Sequence, residues 1–326
     1  MKKILILGGA GFIGFHLVDY LSGRKGYKIH LVDNLSRGKV DGELKDLIKK
    51  RDIKFIKKDL TRKDSFRGLD NDYDYIYHLS AIVGVRNVLN NPGKVLFVNI
   101  ATVLNLLEWA NKTQKSLKNL LFTSTSEVYA GTLKYYKAPV PTDENVNICL
   151  DNIAFPRTAY ALSKIAGESA CLNYFSSHDL PIVIVRLHNV YGPRMGYDHV
   201  IPELMIKAKN SRKYLEVFSV THTRAFCYVS DAISAIVKLT ENKRTSGQIF
   251  NVGNSREEIS MGELAKRIIQ SINPRLRIRI MPVQPGSVKR RCPDINKLQE
   301  AVNFRPQISL NEGIKLTWDW YSKANG

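Results

Sequence analysis

The junction of Ile4-Leu5-Ile6-Leu7 with Gly8-Gly9-Ala10-Gly11-Phe12-Ile13-Gly14 limits the fold of this chain more than any other feature. A short apolar run ended by glycine reads as a buried strand, and the apolar pattern over Phe12–Ser22 reads as a helix. Glycine permits the tight turn between them, lets a pyrophosphate approach the backbone, and allows helix and strand to pack closely. The helix N-terminus adds free N–H groups and positive potential. Gly8, Gly11, Phe12, Ile13 and Gly14 are therefore expected to cradle a dinucleotide. An ordinary strand–turn–helix corner would also use glycine, so the context has to decide.

That context continues along the first half. Asp33 ends the second apolar run, about twenty residues on, where a carboxylate can accept hydrogen bonds from the adenosine ribose. It would repel a 2′-phosphate, which favours NAD over NADP, although Arg37 nearby could bind that phosphate. Asp59 closes the third run and is a candidate adenine contact. Asn34, Leu60, Leu79, Ala81 and Asn99 complete the expected NAD set.

Strands are expected at Ile4–Leu7, Ile29–Val32, Ile53–Ile56, Tyr75–Leu79, Leu120–Thr123 and Ile182–Leu187. Helices are expected at Phe12–Ser22, Val95–Asn111, Ala159–Ser176, Ile201–Lys209, Asp231–Thr240, Met261–Ser271 and Leu310–Ser322. Short buried strands alternating with helices predict an α/β fold, a Rossmann-type doubly wound parallel sheet with a smaller α/β substrate-binding lobe. The expected division is residues 1–187 for the NAD-binding domain, with 226–252 returning to it, and 188–326 mainly for the substrate lobe.

Composition narrows the partners. The net charge of +19 suits an anionic ligand such as a diphosphate. The basic residues are scattered, with no block or aromatic interleaving, so neither nucleic acid nor a membrane is an expected partner. No apolar run in the sequence approaches the ~20 residues of a membrane span. Cys149, Cys171, Cys227 and Cys292 are far apart and form no metal-ligand pair. No metal is expected, and the predicted location is cytoplasmic.

Tyr160 and Lys164 are four residues apart, a spacing that places both on one helix face. A tyrosine base needs help, because its ordinary pKa is about 10. A neighbouring ammonium and a bound nicotinamide cation would both favour phenolate. Thr125-Ser126-Glu127 follows the fifth strand, at the edge where open α/β sheets bind ligands. Thr125 is expected to hold the hydroxyl that Tyr160 deprotonates, and Glu127 to act as a second acid or base. His188 and His222 read as packing or substrate hydrogen-bonding groups.

With these motifs in order, the chain resembles the nucleotide-sugar epimerases, dehydratases and decarboxylases of the extended short-chain dehydrogenase/reductase family. The resemblance includes His78-Leu79-Ser80-Ala81, Asn189-Val190-Tyr191-Gly192-Pro193-Arg194-Met195, Thr223-Arg224-Ala225-Phe226-Cys227-Tyr228-Val229 and Arg291-Cys292-Pro293-Asp294. It implies a nucleoside-diphosphate sugar as substrate, with Asn189 and Arg224 on the diphosphate and Arg291 on a phosphate or sugar carboxylate. It implies oxidation at sugar C4 to a 4-keto intermediate. It also implies a homodimer formed by helices Val95–Asn111 and Ala159–Ser176, with Leu104, Leu107 and Ala166 toward the partner.

Thr125-Ser126-Glu127 resembles the triplet of UDP-glucuronate decarboxylases, which makes decarboxylation the expected outcome. Epimerisation of a nucleotide sugar is the alternative. Dehydration and a non-catalytic NAD-binding role are less favoured. Three departures from the decarboxylase pattern stand out: Ala130 after Val128-Tyr129, a long stretch from Thr132 to Arg157, and Phe218–His222 in place of a glycine-containing nucleotide loop.

Overall fold

The computed structural model describes residues 1–284 and 286–324. Seven parallel strands form the central sheet: β1 (Lys2–Leu7), β2 (Tyr27–Asp33), β3 (Lys54–Lys57), β4 (Tyr75–His78), β5 (Asn119–Thr125), β6 (Ile182–Leu187) and β7 (Ile249–Val252). Their order is β7-β6-β5-β4-β1-β2-β3. The order reverses between β1 and β4, which opens a crevice at the C-terminal strand ends.

Alternate residues of β1 feed opposite faces. Ile4 and Ile6 join the core that contains Leu17, Val18 and Ile233, from helices α1 (Phe12–Ser22) and α4 (Val229–Glu241). Helices α2 (Pro92–Thr113) and α3 (Pro156–His178) cover the other face, where Leu5 and Leu7 meet Val103, Leu107 and Cys171. A sheet buried on both faces needs continuous apolar runs in its central strands, and residues 4–7 of β1 and 182–185 of β6 supply them. Gly167 lets α3 approach the sheet closely: a Cβ there would stand 2.5 Å from the Phe122 ring.

By length and composition α2 is apolar enough to cross a membrane. Its Val95, Val103, Leu106, Leu107 and Ala110 are buried in the fold. Leu107 is fully buried, whereas Leu104 is 44% exposed. The expectation that Leu107 faces a partner is therefore corrected: it turns toward the sheet.

The second half is built from smaller pieces. Tyr214–Phe218 pairs in parallel with Arg277–Met281, and Thr223–Ala225 lies between Glu258–Ser260 and Arg290–Arg291. Helices Val200–Asn210, Met261–Ile272 and Leu310–Ala324 accompany them. Four short helices escape the sequence pattern: Gly42–Lys50, Val85–Asn90, Ala130–Tyr135 and Asn296–Val302. The first is started by Asp41, whose carboxylate accepts from Leu44 N at 3.1 Å.

Candidate active site

The glycine turn is steric necessity at two of its positions. Gly8 has φ +85°, and a Cβ on it would lie 2.7 Å from Ser80 N. A Cβ on Gly14 would lie 2.4 Å from Gly8 O. Gly11 differs, because its Cβ would approach only Gly8 O, at 3.4 Å. It precedes α1, which begins without a side-chain cap. The turn therefore leaves open space and unclaimed N–H groups at one place, which fits a cofactor phosphate.

Asp33 braces this turn from the end of β2. Its carboxylate accepts from Ala10 N at 3.0 Å and Leu35 N at 2.8 Å. Asn34 is exposed and accepts from Ser36 N. Asp59 is exposed beyond β3 and accepts from Thr61 N and Oγ1, beside buried Leu60. Leu79 and Ala81 are half-buried after β4. Asn99 is buried and already engaged: it accepts from Ile82 N at 2.8 Å and donates to Ser163 Oγ at 3.1 Å. It ties the 79–83 loop to α3.

Tyr160 and Lys164 lie in α3 as the spacing required. The Tyr160 hydroxyl is hydrogen-bonded to the Thr125 side chain. Burial pushes its pKa up to about 12, Glu127 adds to the rise, and Thr125 and Arg37 oppose it. Lys164 is buried and donates to the Thr123 carbonyl at 2.8 Å. Burial lowers its pKa to about 8.

Glu127 is the hub of the other half. Arg291 closes a two-pronged pair with it, at 2.7 Å to Oε1 and 3.4 Å to Oε2. Arg157 stands 3.5 Å away on the other side. Burial works against the carboxylate charge, but Arg291, Arg157 and Arg224 prevail and hold its pKa at about 2. The arginines thus favour the carboxylate form of Glu127 in this arrangement. Arg291 is 3% exposed, its Nη1 reaches Ser126 Oγ at 3.4 Å, and its buried Nε has no partner among the described residues.

Arg224 donates to Thr223 O and Ser287 Oγ. Burial first, then Arg291, lowers its pKa to about 9. Asn189 sits in the left-handed region at φ +39° and donates to Ala225 O at 3.0 Å. A cationic cluster that disfavours its own charge is suited to an anion.

Behind this surface lies a polar network. Glu168 accepts from Ser124 Oγ at 2.5 Å and from Arg186 Nη2 at 2.7 Å. Arg186 also donates to Tyr129 OH at 2.7 Å. Asn251 then uses its whole carboxamide. Its Oδ1 accepts from Tyr129 OH at 2.8 Å and faces His188 Nε2 at 3.0 Å, and its Nδ2 donates to Thr142 O at 3.0 Å and Asp294 O at 3.1 Å. His188 is fully buried, with its pKa depressed to about 3 by burial, which fits packing. His222 hydrogen-bonds Ser287 at 2.9 Å.

Sequence reasoning missed Arg157, Asn251 and the placement of Arg37. Arg157 carried a findable signal, since it lies three residues before Tyr160 at the start of the same helix.

Residues 4–253 match the NAD dependent epimerase/dehydratase family. The chain is 33% identical to the UDP-N-acetyl-alpha-D-glucosaminuronate decarboxylase of Bacillus cytotoxicus, over 98% of each protein. It is 34% identical to UDP-glucuronic acid decarboxylase 5 of Arabidopsis thaliana, over 96% of this chain and 87% of that one. Among solved structures, it is similar to a UDP-glucose 4-epimerase of Thermotoga maritima, with TM-score 0.85 and 26% identity over the whole of both chains. A family match across both the cofactor turn and the Tyr160 helix, together with relatives aligned over nearly the full length, assigns this chain to the NAD dependent epimerase/dehydratase family.

Proposed function

We propose that the chain is an NAD-dependent decarboxylase of a nucleoside-diphosphate-linked uronic acid. The carrying observation is Glu127 among Arg157, Arg224 and Arg291. One carboxylate among three guanidiniums leaves a surplus of two positive charges beside the catalytic helix. A diphosphate and a sugar carboxylate would complete that balance, and arginine's planar fork suits both.

Gly8, Gly11 and Gly14 with Phe12 and Ile13 hold the cofactor phosphates, and Asp33 takes the adenosine ribose. Asn34, Asp59, Leu60, Leu79 and Ala81 line the adenosine and ring ends, and Asn99 fixes the loop beside them. NAD held by these residues would supply the hydride acceptor for oxidation at C4 and the donor for the later reduction.

Thr125 hydrogen-bonds the C4 hydroxyl and Tyr160 takes its proton, leaving a ketone at C4. The ketone is β to the C6 carboxylate. The C5–C6 bond then breaks, its electron pair passes toward the C4 carbonyl, and CO2 leaves. A proton taken up from water at C5 would restore the ketone, and its reduction at C4, with Tyr160 giving its proton back to the C4 oxygen, would complete the cycle. Arg291 holds the leaving carboxylate, Ser126 orients Arg291, and Asn189 and Arg224 hold the diphosphate. Glu127 serves as a carboxylate: it sets the arginines and can accept a proton. Lys164 braces the end of β5 through Thr123 and takes the nicotinamide ribose.

The decarboxylase relatives support this reading over epimerisation, and their names make uridine diphosphate the favoured nucleotide. The chain also dimerises in this proposal, through α2 and α3. Phe97 at 63% exposure and Leu104 at 44% support that surface. Light scattering at micromolar concentration tests it, and a monomer would refute it.

The deciding experiment incubates the purified protein and NAD with UDP-glucuronate, UDP-N-acetylglucosaminuronate and UDP-glucose, and follows product mass. A uronate product lighter by CO2 is expected. An isobaric product at a new retention time would make the chain an epimerase, and loss of water would make it a dehydratase.

A further inference from the structure

The middle of the long stretch from Thr132 to Arg157 is laced to the residues that follow Arg291. Thr142 forms a parallel bridge with Pro293. Its N–H donates to Cys292 O at 2.9 Å, and its carbonyl accepts from Asp294 N at 2.8 Å. Arg290 reaches the same stretch from the exposed side, donating to Val140 O at 3.1 Å. The strand Thr223–Ala225 takes the other side, with Arg290 in register with Thr223 and Arg291 with Arg224. Register partners in neighbouring strands project to the same face, so Arg291 and Arg224 stand side by side. The backbone that carries Arg291 is therefore gripped from two directions.

Asn251, in β7, closes the grip on the Thr142 side. It is fully buried. Its Nδ2 donates to Thr142 O at 3.0 Å and to Asp294 O at 3.1 Å, so one carboxamide spans both members of the bridge. Backbone carbonyls only accept, which fixes the orientation of this group. Its Oδ1 is then left for Tyr129 OH at 2.8 Å and His188 Nε2 at 3.0 Å. The Asn251 N–H donates to Glu144 Oε1 at 2.6 Å, two residues beyond Thr142. Gly253 shows how little slack remains: a Cβ there would stand 2.8 Å from Pro293 Cγ and 3.0 Å from His188 Cβ.

Arg291 has need of such a frame. Its guanidinium works in a buried place, against Glu127 and Ser126. An arginine fork receives a carboxylate through two parallel N–H groups, so its direction matters as well as its charge. Misplacing a substrate-holding group by about 1 Å can cost on the order of 10²-fold.

We propose that Asn251 and the Thr142 segment form a bracket that positions Arg291 for carboxylate recognition, with Asn251 as its positioning residue. The inference rests on the proposed assignment of a uronate carboxylate to Arg291. In this role Asn251 touches neither substrate nor cofactor and moves no proton. The bracket governs which sugars are gripped and leaves the hold on the nucleotide alone.

The test compares Asn251→Asp and Arg290→Met with the parent, each as the full chain with NAD. Asn251→Asp keeps the shape and the acceptor toward Tyr129 and removes the amide donors to the two carbonyls. Arg290→Met releases the Val140 contact from the exposed side and leaves the core intact, so it serves even if the first variant fails to fold. Amide hydrogen exchange is followed over residues 139–145 and 290–294. Calorimetry gives the affinities for UDP-glucuronate, UDP-glucose and UDP. Both variants should exchange faster in those two segments. Affinity for UDP-glucuronate should fall by roughly 10-fold in Asn251→Asp, and less in Arg290→Met, with UDP and NAD held as before. Unchanged exchange would overturn the proposal. Faster exchange with the full preference for the uronate would overturn it too, and an equal loss for UDP-glucuronate and UDP would reduce the bracket to a structural support. A parent chain that holds UDP-glucuronate no better than UDP-glucose would sink the uronate reading instead, and exchange would still decide whether Asn251 fixes the Arg291 backbone.

Discussion

Arg291 and Glu127, 164 residues apart in the chain, close a two-pronged ion pair beside the catalytic helix. Removing one member of such a buried pair leaves the other charged and alone. Arg291→Met should therefore raise KM for a uronate substrate by roughly 10²-fold. Binding of NAD, followed by fluorescence titration, should be nearly unchanged.

Tyr160→Phe removes the hydroxyl beside Thr125 that takes the C4 proton in the proposed reaction. Turnover should fall by about 10³-fold. Circular dichroism and NAD binding should match the parent, because the ring and its packing remain.

The glycines separate fold from cofactor binding. At Gly14 an added methyl would strike backbone at 2.4 Å, so Gly14→Ala should destabilise the protein by about 1–3 kcal/mol. At Gly11 the nearest atom would be 3.4 Å away, so Gly11→Ala should keep the unfolding midpoint and lose NAD affinity. Chemical denaturation paired with calorimetric titration of NAD checks both.

Acid should destabilise the protein in two windows. His78 and His188 are buried and neutral, each with its pKa depressed from 6.5 to about 3 by burial. The unfolded chain binds their protons first, so stability present above pH 6.5 is lost as the pH falls toward 3. With both engaged, the slope approaches about 2.7 kcal/mol per pH unit as an upper bound. His188→Gln should halve it in urea unfolding series. Glu127 adds a lower window, because its pKa falls from 4.5 to about 2. Its contribution is present above pH 4.5 and is lost as the pH falls through 2.

Legibility followed the physics of each part. Strand β1, helix α1 and the glycine turn were readable because a buried strand, an apolar helix and a phosphate cradle each demand local residue types. The range Phe12–Ser22 was anticipated to the residue. Tyr160 and Thr125 were readable for the same reason, through helical spacing and position after a strand. Their hydrogen bond was not, since it joins residues 35 apart in sequence. The contact of the Lys164 ammonium with the Thr123 carbonyl was not legible either, because spacing fixes a helix face and not the carbonyl it meets. Arg157 was passed over as one charge in a basic chain, and only the fold brings it to Glu127. The helix Gly42–Lys50 is short and polar, and tertiary context with an Asp41 cap stabilises it where periodicity is weak.

Asn251 has a consequence for assembly in time. Its carboxamide joins Tyr129 and His188 to backbone carbonyls at Thr142 and Asp294, so it draws together segments made early and late. A chain emerging from synthesis can form the cofactor turn as soon as β1, α1 and β2 are out. The arginine half must wait until Arg291 has been made and its segment has closed against Thr142. Folding of this protein is therefore expected to pass through a stage competent to hold a dinucleotide but not yet able to grip a uronate.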